Sequence, residues 1–267
     1  ENTFFPAVGP QSLNISTRGL VGPDQGALIG GFIVTGLEPK TVILRALGPS
    51  LGNAGLTGTL PDPSITLYDA VGHALASNDN WQTDPGASEI IGDGLAPSNP
   101  AEAALRITLQ PGTYTAVVTG KNSTPGIGLV EVYDVSPTTA SKLGNLSTRG
   151  NVGRDADQLI AGFIVGSFDS STVVIRALGP SLGAAGIDAP LVDPSFTVYD
   201  QNGSILGGND DWRDDPNVSD LEQNQFAPLD EAEAATILHL PVGAYTAVTT
   251  GADGGTGIGL VEVYNLE

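Results

Sequence analysis

The sequence predicts an all-β protein made of two tandem β-sandwich domains, and three observations carry that prediction. The first is an internal repeat at a constant offset of 131 residues. Self-similarity at a fixed period marks duplicated structural units. The second is turn chemistry. Gly and Pro, 36 and 19 of the 267 residues, are spread between short apolar runs, as expected where many short strands are joined by tight turns. The third is apolar content. Hydrophobic residues make up 40% of the chain and charged residues only 15%, enough material for real cores and too apolar for a disordered polymer.

The repeat is explicit. Ser16-Thr17-Arg18-Gly19 returns as Ser147-Thr148-Arg149-Gly150, and Arg45-Ala46-Leu47-Gly48-Pro49-Ser50-Leu51-Gly52 returns as Arg176 to Gly183. Gly126 to Tyr133 returns unchanged as Gly257 to Tyr264. The predicted organisation is an arm at 1–11, one sandwich at 12–136, a linker at 137–142 and a second sandwich at 143–267. Pro137 cannot donate to a sheet ladder and ends the last strand of copy one.

Within copy one, Leu28-Ile29 and Phe32-Ile33-Val34 form a β run broken by Gly30-Gly31. Thr41 to Leu47 is rich in β-branched and aliphatic residues and stops at Gly48-Pro49. Ser64 to Tyr68 and Ala74 to Ser77 flank Asp69-Ala70-Val71-Gly72 as a hairpin. Ala103 to Leu109 and Thr113 to Thr119 flank Pro111-Gly112, and Ile127 to Val135 closes the copy. The only helical stretch is short, around Asp84 to Ile91 or Pro100 to Ala104. Short strands with turns at this spacing suggest a sandwich.

The stretch Leu67-Tyr68-Asp69, Gly72, then Leu75 to Trp81, followed by Leu109-Gln110-Pro111-Gly112-Thr113-Tyr114-Thr115-Ala116-Val117-Val118, resembles the bacterial pre-peptidase C-terminal type of β-sandwich domain. The resemblance covers the second half of each copy. It implies a jelly-roll-like sandwich, an extracellular address and an accessory or surface role, and no specific ligand.

The formal net charge is −20. Such a surface repels phosphate backbones and anionic membranes, which excludes nucleic acid as a natural partner. No apolar run approaches the ~18 residues of a membrane span. Cysteine is absent, which removes disulfides, thiolate metal sites and cysteine nucleophiles. Methionine is absent too, even at position 1. The expectation is an extracellular or cell-surface protein after signal-peptide removal.

Calcium is the one cofactor that the acidic turns suggest. Asp69, Asn78, Asp79 and Asp84 recur as Asp200, Asn209, Asp210 and Asp215, and Ca²⁺ takes six to eight oxygens from such loops. The alternative is Asx-turn chemistry, in which the same side chains cap loop backbone. Arg18, Arg45, Glu102 and Glu131 recur as Arg149, Arg176, Glu233 and Glu262. An arginine inside an apolar strand needs a carboxylate or carbonyl partner, so these are expected to form structural ion pairs. Trp81 and Trp212 are either loop anchors or, if exposed, platforms for stacking on glycans. His73 and His239 sit at non-equivalent places and make no repeated catalytic set, so no enzyme is expected. The arm, with Phe4, Phe5 and Val8, is a β-prone segment that can add as a strand to another chain's sheet edge or pack on its own domain. Head-to-tail repetition of such a contact gives an open filament. The expected partner is therefore a second copy of the chain. The alternative is an adhesive or carbohydrate-binding module with surface glycans as partners.

Overall fold

A computed structural model describes residues 14–136, 139–166 and 170–266. The strands of copy one are β1 (Asn14–Val21), β2 (Leu28–Thr35), β3 (Lys40–Leu47), β4 (Pro63–Tyr68), β5 (Ala74–Asn78), β6 (Ala103–Leu109), β7 (Gly112–Gly120) and β8 (Gly126–Asp134). Those of copy two are β9 (Lys142–Val152), β10 (Leu159–Val165), β11 (Ser171–Leu178), β12 (Pro194–Asp200), β13 (Ile205–Asn209), β14 (Ala234–Leu240), β15 (Gly243–Gly251) and β16 (Gly257–Asn265). The helices are short: α1 (Ala87–Gly92), α2 (Pro180–Ala184) and α3 (Val218–Gln223). The chain is thus all-β, as the sequence predicts.

All the strands join one antiparallel network. It consists of two long runs. One is β6-β3-β8-β1-β10-β15-β12-β13, and the other is β14-β11-β16-β9-β2-β7-β4-β5. Each run takes four strands from each copy. Within copy one, β6-β3-β8-β1 faces β5-β4-β7-β2 across a core that includes Val42, Leu44 and Val132 from one layer and Leu28, Ile65 and Val118 from the other. Alternation explains which side chains point inward: β2 reads buried, half-buried, buried along most of its length, the two-residue period of a strand with one face on a core.

The arrangement of the copies corrects the picture of two separate sandwiches on a linker. The layers continue from one copy into the other. β1 pairs with β10, Ile15 opposite Phe163, and β9 pairs with β2, Leu146 opposite Phe32. The exchange is reciprocal, as a two-fold axis requires. The axis is marked by equivalent residues that meet: Thr17 and Thr148 share a buried hydrogen bond of 2.7 Å. One apolar cluster spans both copies and includes Leu28, Phe32, Leu159 and Phe163, with Leu28 and Leu159 both reaching the Cα side of Gly19 and Gly150.

Two local expectations change with it. Gly30-Gly31 does not break its run; β2 is continuous. A Cβ on Gly31 would fall 2.4 Å from the Ser147 hydroxyl, so the glycine lets β9 lie alongside. The linker is also shorter than 137–142, because β9 begins at Lys142. Ser141 is buried; its hydroxyl donates to the Glu38 carbonyl at 2.7 Å and accepts from the Glu38 N–H at 3.0 Å.

Candidate functional site

Each outer layer carries the same clamp. Arg45 leaves β3 on the face away from the main core. Its Nε and Nη2 donate to Glu131 Oε2 at 2.8 and 2.5 Å. Nη1 donates to the Leu95 carbonyl at 3.0 Å and Nη2 to the Tyr133 hydroxyl at 2.8 Å. Tyr133 in turn donates to Glu131 Oε1 at 2.8 Å. Burial opposes the charge on Arg45, but the adjacent Glu131 outweighs it and holds the guanidinium above its ordinary range. Arg176 repeats the set with Glu262, the Phe226 carbonyl and Tyr264. Burial first, and Glu262 second, raise the Tyr264 phenol. The carbonyl bond ties the loop carrying α1 or α3 to the sheet, so this is a structural fastening.

The other residues grouped with these arginines behave differently. Glu102 is fully buried but accepts from the N–H groups of Gly48 and Ser50 and from the Ser50 hydroxyl, at 3.0, 2.9 and 2.5 Å. Glu233 does the same with Gly179 and Ser181. Backbone donors in place of a cation satisfy these carboxylates. Arg18 and Arg149 lie at the junction, each with a buried Nε that has no hydrogen-bond partner; burial lowers the Arg18 guanidinium. Neither is in an ion pair among the described residues. Conversely, Lys40 and Asp134 form a deeply buried pair at 2.6 Å. The repeat offered no signal for it, since copy two has Ser171 and Asn265 there.

The proposed calcium ligands are dispersed. Asp69 Oδ1 accepts from the N–H groups of Val71 and His73 at 3.0 and 2.9 Å, and Asp200 Oδ1 from Asn202 and Ser204, both at 2.8 Å. Those backbone donors hold both carboxylates below their ordinary range. Asp84 and Asp215 cap Gly86 and Asn217 N–H, each at 2.8 Å. Asn78 and Asn209 accept from Ala104 and Ala235 N–H at 3.2 and 2.9 Å, which stitches the edge strand of one layer to the edge strand of the other. This is Asx-turn chemistry. Among the described residues no three acidic or histidine side chains gather with metal-holding geometry.

Asp79 and Asp210 expose a difference between the copies. Lys121 Nζ sits 3.2 Å from Asp79 and 3.5 Å from Asp62. In copy two the lysine is Ala252, and Asn80 and Asn122 are replaced by Asp211 and Asp253. Asp193, the counterpart of Asp62, is raised by burial and then by Asp211, Asp210 and Asp253.

The tryptophans are anchors. Trp212 is buried with Val174, Leu221 and Ile237, and its Nε1 donates to the Asp230 carbonyl at 3.0 Å. Trp81 is half-buried against the Ile43, Ile90 and Tyr133 cluster. Neither ring stands out as a free platform, which corrects the glycan-stacking expectation.

What remains open is the outer end of copy two. β13 is an edge strand, Ile-Leu-Gly-Gly-Asn, without a charge or a proline. Natural edges are commonly blunted by lysine, proline or a bulge; β13 has neither lysine nor proline, but its pairing with β12 is bulged at Leu206. Ile205 is 68% exposed and Leu206 41%. Beside it is a cleft of about 310 Å³ lined by Leu206, Leu238, Leu240, Val242 and Tyr245 under the Asp200–Asn202 turn. The assembly residues Phe4, Phe5 and Val8 lie outside the described residues.

No family model matches the chain, and no curated protein does. Among solved structures, the major capsid protein P2 from bacteriophage PM2 is similar at 13% identity, over 94% of this chain and 98% of that one, with a TM-score of 0.22. The two folds coincide too little for that likeness to carry an inference. No helix among the described residues is long and apolar enough to cross a membrane.

Proposed function

We propose that this chain is a non-enzymatic structural subunit of the extracellular or cell-surface space. It assembles head to tail into filaments, with the arm as strand donor, and its jelly-roll-like copies provide rigid length. The observation that supports this reading is the β13 edge. It is a short, uncharged strand, bulged at Leu206, whose outer side has no partner strand among the described residues, and strand addition needs an acceptor with such a free side. β5, its counterpart, is Ala-Leu-Ala-Ser-Asn and lacks the isoleucine. One preferred acceptor and one donor per chain make a heterologous contact, and heterologous contacts propagate when rotation does not close a ring. The net charge of −20 keeps unassembled chains soluble. Negative-stain electron microscopy of the full chain and of a chain lacking residues 1–10 tests the proposal. Filaments from the first and none from the second are expected; isolated particles in both overturn it.

A further inference from the structure

We infer that two copies of this chain pair face to face through the outer surface of β1, β10, β15, β12 and β13, about a two-fold axis parallel to the strands, with Arg18 of each copy against Asp210 and Asp211 of the other. This goes beyond the assembly reading and stands without it, since it uses a sheet face and not a strand edge.

Register defines the surface. Arg18 stands opposite Ile160, Ile160 opposite Val248, Val248 opposite Thr197, and Thr197 opposite Gly208. The next row is Ser16, Gly162, Thr246, Tyr199 and Ile205. The intervening Thr17, Ala161, Ala247 and Val198 are buried, so both rows point outward by the alternation of a strand. All but Gly162 are half-buried or exposed. The helices cover the other half of each layer: Ile90 of α1 packs with Ile43, Ala104 and Tyr133, and Leu221 of α3 with Val174, Ala235 and Ile237.

Charge is the second support. The chain has 30 acidic residues, yet Arg18 is the only charged residue in the two rows. Copies of net charge −20 meet with least repulsion where carboxylates are absent. Arg18 is in no ion pair among the described residues, and its buried Nε has no hydrogen bond. Across the face, four strand spacings or about 19 Å away, Gly208 is followed two residues later by Asp210 and then Asp211. Both are exposed and, with Asp253, crowd Asp193. The arginines nearest in the chain are engaged, Arg154 with the Gly254 carbonyl and Arg213 with Glu222 and Glu231. One edge of the face therefore carries an unpaired cation and the other edge unpaired anions.

Those edges select the axis. Aligned sheets keep their strands within about 30° of each other, so a two-fold contact has its axis across the strands or along them. An axis across the strands lays β1 over the partner copy's β1, arginine near arginine. An axis along them lays β1 over the partner copy's β13 and satisfies both edges, twice per dimer. Val248, the middle of its row, then lies at the axis. Five strands at ~4.8 Å and about seven residues at ~3.3 Å cover roughly 550 Å². The pair covers about 1,100 Å² in total, above the ~1,000 Å² that a specific interface requires.

The internal repeat supplies the contrast. Arg149, Ile29, Val117, Thr66 and Ser77 form the matching row on the other layer. There Lys121 already holds Asp79 and Asp62, and Asn80 and Asn122 stand in place of Asp211 and Asp253. That face lacks the acidic edge, so the contact closes as a dimer and does not propagate through both faces.

The native chain has no cysteine, so a single substituted thiol can be linked only to its equivalent in another copy. Val248→Cys and Val117→Cys, equivalent half-buried positions on the two faces, are each treated at micromolar concentration with a short bismaleimide. Products are read on a denaturing gel, after a melt shows wild-type folding. A cross-linked dimer from Val248→Cys and little from Val117→Cys is expected. Adding Arg18→Glu should abolish the Val248→Cys dimer, and adding Asp210→Arg and Asp211→Arg as well should restore it. Adding Arg149→Glu instead should leave it unchanged. Equal yields from the two cysteine positions, or a dimer from neither, overturn the proposal. A Val248→Cys dimer indifferent to Arg18→Glu overturns it too. Filaments of the wild-type chain are scored separately by microscopy, so the two readings fail by different measurements.

Discussion

Arg176 illustrates how much depends on single side chains. Its guanidinium is 16% exposed and its partner Glu262 11%, and it also holds the Phe226 carbonyl that fastens the α3 loop. Removing one partner of such a pair strands the other charge in a poorly solvated place, at a cost of ~3–5 kcal/mol. Arg176→Ala is expected to lower the unfolding free energy by about that much in urea titrations; a midpoint equal to wild type would refute the clamp. Position 252 works in the opposite direction. The folded chain binds the Asp193 proton more tightly than the unfolded chain does, because of burial and the neighbouring carboxylates. The stability contributed by this site is therefore full below the ordinary aspartate range, is lost as pH rises through the raised value, and recovers as pH falls back through that value. Ala252→Lys recreates the Lys121 arrangement of copy one. It is expected to raise the melting temperature at neutral pH, to do so more at low salt, and to shrink the gain on mild acidification. Unchanged melts at both ionic strengths would remove the repulsion from consideration.

At the scale of elements, β1 and β9 decide how the copies meet. Their inward positions are Ile15, Thr17, Gly19 and Val21, and Leu146, Thr148, Gly150 and Val152. Thr17 must be polar to bond Thr148. Gly19 must be small, because a Cβ there would lie 3.0 Å from Leu159 and 3.2 Å from Leu28, both fully buried. Half of the inward set therefore lacks the hydrophobic signal by which a strand is recognised, and neither strand is legible from pattern alone. β3, β4, β7 and β8 are legible because apolar residues run through them on both faces or alternate cleanly: Val42 to Leu44, Ile65 and Leu67, Ala116 to Val118, and Ile127, Leu129, Val130 and Val132. The acidic turns were ambiguous for a related reason: the same Asp and Asn serve a turn or a metal, and only the backbone donors at Asp69 and Asp84 separate the two. Lys40 with Asp134 stayed hidden because copy two does not repeat it. Gly19→Ala is expected to cost ~1–3 kcal/mol, the usual range for overpacking a filled core. Gly52→Ala, whose Cβ would meet nothing within 4 Å, should leave stability unchanged, and a Gly19→Ala variant equally unaffected would mean that the junction is loosely packed.

For the whole molecule, the repeat reads as two domains in sequence, but the junction fuses them energetically. Two sheet continuations cross it, the Thr17–Thr148 bond sits at its centre, and one apolar cluster runs through both copies. Separating the copies would expose Leu28, Phe32, Leu159 and Phe163 and leave two strand edges unpaired. Burying each such side chain contributes roughly 1.5–3 kcal/mol, a sum comparable with the whole stability of an ordinary domain. The copies should therefore unfold together. Each carries one tryptophan, Trp81 in the first and Trp212 in the second, so Trp81→Phe and Trp212→Phe leave a fluorescence probe in one copy at a time. Coincident urea transitions are expected from the two probes and from circular dichroism. Adding Arg176→Ala, a lesion in copy two, should shift the Trp81 probe in copy one by the same amount as the Trp212 probe. A Trp81 transition that ignores the lesion would mean that the copies are independent domains and that the shared sheets contribute little to holding them together.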